Sequence, residues 1–87
     1  MAKLIKANGD IIEIEPKDKN SFTLKEMQDY VGGWIEVIYL SSGEMMVLNE
    51  HGKINDLPIN QKATEIYGSR EDYIAGNVMI INRNQIK

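Results

Sequence analysis

The chain contains no cysteine, so neither a disulfide nor a thiolate zinc site can brace its fold. Its single histidine, His51, would need three carboxylates beside it to make a tetrahedral zinc site, a donor set that zinc does not favour. A domain of 87 residues buries only about 60–65% of the surface that its unfolded chain exposes. Stability must therefore come from a well-packed core or from a partner subunit. The chain is rich in Ile, Leu, Val and Met, which supports one domain over residues 1–87 and makes a homo-oligomer a reasonable expectation. At 43% hydrophobic and 26% charged it lies outside the disordered class. Its longest uncharged apolar run is far too short for a membrane span. A net charge of −3 with a pI of about 5.0 argues against a broad basic face for nucleic acid or anionic membrane. Met1-Ala2-Lys3-Leu4 lacks a secretory apolar region, so the chain is expected to stay in the cytoplasm where it is made.

Turn and cap residues divide the chain into short elements. Asn8-Gly9 separates Lys3–Ala7 from Asp10–Glu15, a strong hairpin signal when both turn residues take positive φ. A two-residue turn pairs Ile5 with Ile12 and Lys3 with Ile14, which marks Ile5, Ile12 and Ile14 as core. Thr23-Leu24-Lys25-Glu26 reads as a capping box, with Phe22 and Met27 placed as a hydrophobic staple. The helix it opens runs from Leu24 to Val31, with Leu24, Met27, Tyr30 and Val31 on one face and Gly32-Gly33 as its stop. Trp34–Leu40 and Met45–Asn49 form a second hairpin, apolar on both faces and hence read as two central strands. Asn60 caps a second short helix from Gln61 to Tyr67, with Ile59, Ala63, Ile66 and Tyr67 on one face and Gly68 as its end. Asn77–Asn82 is the last strand. The expected fold is α+β, in β-β-α-β-β-α-β order, with an antiparallel-rich sheet of about five strands and two short helices.

Little in this pattern suggests catalysis. The serines at 21, 41, 42 and 69 sit in turn signals, and no glycine-rich phosphate loop is present. Glu50 and His51 beside Asn49 are the sole acid/base grouping, and a hairpin end of this composition is ordinarily just a turn. Trp34 has two readings: a cap on the core, or a flat surface on which a base or partner side chain stacks. Tyr39, Tyr67 and Tyr73 carry the same ambiguity. Lys53 and Arg70 are basic residues in loops, able to meet a phosphate or simply to be solvated.

Phe22-Thr23-Leu24-Lys25-Glu26-Met27-Gln28, followed by Val31-Gly32-Gly33-Trp34-Ile35-Glu36, resembles the domain-of-unknown-function family numbered 3846. So do Met46-Val47-Leu48-Asn49-Glu50-His51-Gly52-Lys53, Leu57-Pro58-Ile59-Asn60 with Ala63-Thr64, and Ile74-Ala75-Gly76-Asn77-Val78. The likeness covers nearly the whole chain. It implies a phage or mobile-element accessory protein acting in the bacterial cytoplasm, with no assigned chemistry. Its most distinctive stretch, Asn49–Gly52 with Leu57-Pro58-x-Asn60, sets a polar loop beside the start of the second helix, where free amides suit an anion.

The expected function is non-catalytic: to counter a bacterial defence by sequestering a small signalling nucleotide in an oligomer. Trp34 would stack, Asn49, Glu50 and Asn60 would make polar contacts, and Arg70 would meet phosphate. No metal or other cofactor is expected. One alternative is an acidic protein inhibitor of a host defence protein, presenting Glu13, Glu15, Asp18, Asp29, Glu36 and Glu44 to a basic partner. Another is a small regulatory module with no defence role.

Overall fold

In a computed structural model, residues 2–18, 20–68 and 71–85 are described. The elements run β1 (Ala2–Ile5), β2 (Ile11–Ile14), α1 (Leu24–Val31), β3 (Ile35–Tyr39), β4 (Glu44–Asn49), α2 (Gln61–Tyr67) and β5 (Val78–Asn82), followed by a 3-10 turn, Arg83–Gln85. The five strands form one sheet in the order β2-β1-β5-β4-β3, and every pairing is antiparallel. This is the α+β order expected from the sequence, and both helices begin and end at the residues their caps specify.

Helix α1 is held at both ends by its own sequence. The Thr23 hydroxyl accepts from the Glu26 amide at 3.2 Å, and the Glu26 carboxylate accepts from the Thr23 amide at 3.0 Å. Gly32 closes the helix at φ 84°, a left-handed position where a Cβ would be strained. The helix then lies across one face of the sheet. Phe22, Met27 and Val31 pack there on Ala2, Leu4, Met45, Val47, Met79 and Ile81. The opposite face carries Ile5, Met46, Leu48, Val78 and Ile80, covered by Ala63 of α2 and by Ile74. The sheet is thus the middle layer of three. Leu24, on the face of α1 expected to be buried, is half exposed, as are Ile59 and Ile66 around α2.

Two expectations about the strands are corrected. The first hairpin closes through a three-residue loop, Ala7-Asn8-Gly9, in which Lys6 N–H donates to Asp10 O and Gly9 N–H to Lys6 O. Gly9 has φ +101°, whereas Asn8 is not in the positive-φ region, so the turn is not type I′. The register moves by one residue, pairing Ala2 with Ile14, Leu4 with Ile12, Lys3 with Glu13 and Ile5 with Ile11. Like now faces like. Leu4 enters the core in place of Lys3, and an ion-compatible pair occupies the wetter positions. Ile5 is buried as expected, Ile14 is half-buried, and Ile12 is exposed because β2 lies at the sheet edge. Likewise β4 is central, but its partner β3 is the other edge strand, and β5 occupies the middle.

Candidate functional site

The face of the sheet that carries α2 is less completely covered than the other, because α1 lies across β3, β4 and β5 whereas α2 touches the strands only sparsely. Beside it lies a groove of about 340 Å³. Its apolar walls come from Ile38 of β3, Leu48 of β4, Tyr67 of α2, and Tyr73 and Ile74 of the segment leading to β5. Its polar residues are Glu36, Asn49, Glu50, Lys53 and Asp72.

The register brings Glu36 here. Glu36 follows Ile35, whose side chain packs on the α1 face, so alternation turns Glu36 to the α2 face. Glu13 and Glu44 fall on the α2 face by the same rule. None of the strand positions facing α1 carries an acid.

The turn after β4 is built by hydrogen bonds from Asn49. This side chain is buried at the end of its strand, donates to Val31 O at 3.2 Å and accepts from the His51 amide at 2.8 Å. Gly52 follows because a Cβ there would stand 2.9 Å from the Ala75 carbonyl oxygen. The turn leaves Glu50 exposed at the groove, its amide donating to Trp34 O at 2.8 Å. Across the groove, Lys53 Nζ donates to Asp72 Oδ1 and sits 4.7 Å from the centre of the Tyr73 ring. The Asp72 carboxylate holds the Lys53 ammonium above its ordinary value. In return, Lys53 and the Tyr73 amide hold the Asp72 carboxyl below its own.

Of the expected contact residues, the groove brings together Asn49 and Glu50. Asn49 is committed to the turn. Trp34 is exposed and lines a separate shallow depression with Gln28, Asp29, Gly32 and Gly33. Asn60 lies inside the fold, 1% exposed. Its Oδ1 accepts from Ala63 N–H, and its Nδ2 donates to both Ile5 O and Gly76 O. That polar capacity is spent on the fold, and the buried carboxamide occupies the helix start that was expected to suit an anion. Arg70 lies outside the described residues. Lys53, weighed as a phosphate contact, faces a carboxylate instead. His51 is exposed and contributes its amide to the turn. Gly33, read as part of the helix stop, donates its amide to Gln28 O at 3.2 Å and has a second duty besides: a Cβ there would come within 2.9 Å of Asn49 Nδ2.

Asp72 and Ile54 line the groove without having been singled out. Asp72 belongs to an otherwise unremarkable charged loop, and its pairing with a lysine 19 positions away leaves no local sequence signal.

Compared with known families, residues 3–86 match the one described as a domain of unknown function, DUF3846. The chain belongs to that family. No curated protein and no solved structure matches it. Among the described residues of this DUF3846 chain, no helix is long and apolar enough to cross a membrane.

Proposed function

We propose that this chain is a non-catalytic binding protein whose groove on the α2 face takes a basic segment of a protein partner. One observation carries the reading. Among the described residues lining the groove, Glu36, Glu50 and Asp72 supply three carboxylates against a single ammonium, and that ammonium, on Lys53, is already paired. A guanidinium or ammonium group entering beside Tyr67 and Tyr73 meets uncompensated negative charge and aromatic faces. A nucleotide finds rings on which its base can stack, but no unpaired cation among those residues for its phosphate. The balance therefore favours a protein partner over the sequestered nucleotide. The setting implied by the family resemblance, a phage or mobile-element protein that obstructs a bacterial defence, belongs to the same proposal.

Titration of the full chain with an arginine-rich peptide, monitored by calorimetry at low and moderate salt, tests this reading. Binding is expected, weakening as salt rises because the contacts are exposed charges. The Glu36→Lys and Glu50→Lys double variant should lose it while melting like the parent. A peptide that binds the double variant equally well would place the contact elsewhere. A large rise in melting temperature with a nucleotide, and none with the peptide, would overturn the reading in favour of the nucleotide.

A further inference from the structure

The Asn8-Gly9 pair at the tip of the first hairpin plays no part in the groove, and its chemistry is separate. Both residues are exposed, and nothing lies within 4 Å of the Cβ position at Gly9. Gly9 lacks the side chain that, on any other residue, would crowd the approach of its amide nitrogen to the preceding carboxamide. Every other asparagine of the chain precedes a residue that carries a side chain.

We propose that Asn8 is the site at which this chain deamidates spontaneously, and that opening of the hairpin tip gates the reaction. The Gly9 nitrogen attacks Asn8 Cγ. The N–Cγ bond forms as the Cγ–Nδ2 bond breaks, and Nδ2 departs as ammonia with the proton that Gly9 gives up. The product is a five-membered succinimide. Water opening it at Cγ restores the normal chain with aspartate at position 8. Water opening it at the backbone carbonyl carbon routes the chain through Cγ and yields isoaspartate.

The closed tip holds both reactants away from this path. Gly9 N–H donates to Lys6 O at 2.9 Å, and Asn8 Oδ1 accepts from the Asp10 amide at 2.9 Å, so the carboxamide is aimed at Asp10 rather than at Gly9. The tip is also pinned to the sheet, because Ala7 N–H donates to Asn77 Oδ1 at 3.0 Å. Reaction requires these bonds to open together. Isoaspartate would add a backbone methylene to a three-residue loop closed by Lys6 and Asp10, and the loop would no longer fit its register.

The experiment follows the full chain at mildly alkaline pH, below its melting temperature, by peptide mapping with an isoaspartate-specific readout. Asn8 should convert before any other asparagine, giving both products, and several-fold faster in concentrated urea than in the folded protein. Asn77→Ala, which frees the Ala7 amide, should accelerate conversion at Asn8 without urea. Conversion elsewhere first would overturn the site. Equal rates at Asn8 in folded and urea-treated protein would overturn the gate. An Asn8 that stays intact in the folded chain over many half-lives of the unfolded one would overturn Asn8 as the site of spontaneous deamidation in the folded protein.

Discussion

Asn60 Nδ2 donates to Ile5 O at 2.9 Å, joining the start of α2 to the last residue of β1 across 55 positions of sequence. The same nitrogen reaches Gly76 O at 2.9 Å, while Oδ1 caps the helix through Ala63 N–H. One side chain therefore satisfies three buried backbone groups from three parts of the chain. Asn60→Ala should destabilise the domain by about 3 kcal/mol, combining a lost cap with carbonyls left unpaired. Asn60→Asp keeps the cap acceptor and loses both donated bonds, so it should recover little of that loss. Urea unfolding of the two variants separates the cap from the cross-links.

Gly33 and Asn49 should behave as one unit. A methyl group at position 33 would crowd Asn49 Nδ2, so Gly33→Ala should cost on the order of 1–2 kcal/mol. Gly33→Ala placed in an Asn49→Ala background should cost less, because the crowded group is gone. A double-mutant cycle reads the difference as coupling. Additive losses would show that position 33 is sensitive for another reason.

Phe22 and Leu24 stand two residues apart at the head of α1 with opposite fates. Phe22 is fully buried and meets Tyr30 edge-on with ring centroids 6.3 Å apart, whereas Leu24 is half exposed. Phe22→Ala should cost about 3–5 kcal/mol, enough to unfold much of the population of a small domain. Leu24→Ala should stay within about 0.5 kcal/mol of the parent. Thermal melting followed by circular dichroism distinguishes them.

Glu26 links the capping box to acid stability. Amides of Thr23 and Lys17 donate to its carboxylate and hold it below its ordinary range. A carboxyl depressed in the folded state stabilises fully above its unfolded value, and that contribution is lost as pH falls through the lower folded one. Glu26→Gln should therefore lower the melting temperature near neutral pH and converge with the parent in acid. A constant gap between the two curves across pH would show that the charge of Glu26 contributes nothing.

The helices were legible because their signals are local. Thr23, Glu26 and Gly32 sit within one turn of the ends they define, as do Asn60 and Gly68, so α1 and α2 follow from the sequence residue for residue. Element order follows for the same reason, since each strand is bounded by its own turn residues. The first hairpin departs from its two-residue reading because Asn-Gly suits loops of either two or three residues. The choice fell to packing, which buries Leu4 and Ala2 against α1 and leaves Lys3 opposite Glu13. Tertiary structure alone placed β5 between β1 and β4 and left β3 at an edge. It also directed Glu36 to the same groove as Glu50, brought Asp72 to Lys53, and turned Asn60 from a surface cap into a buried cross-link. Caps and turns act over three or four residues and can be read along the chain. Register, strand order and the convergence of distant side chains depend on which apolar faces bury one another, a competition decided only once the whole chain has packed.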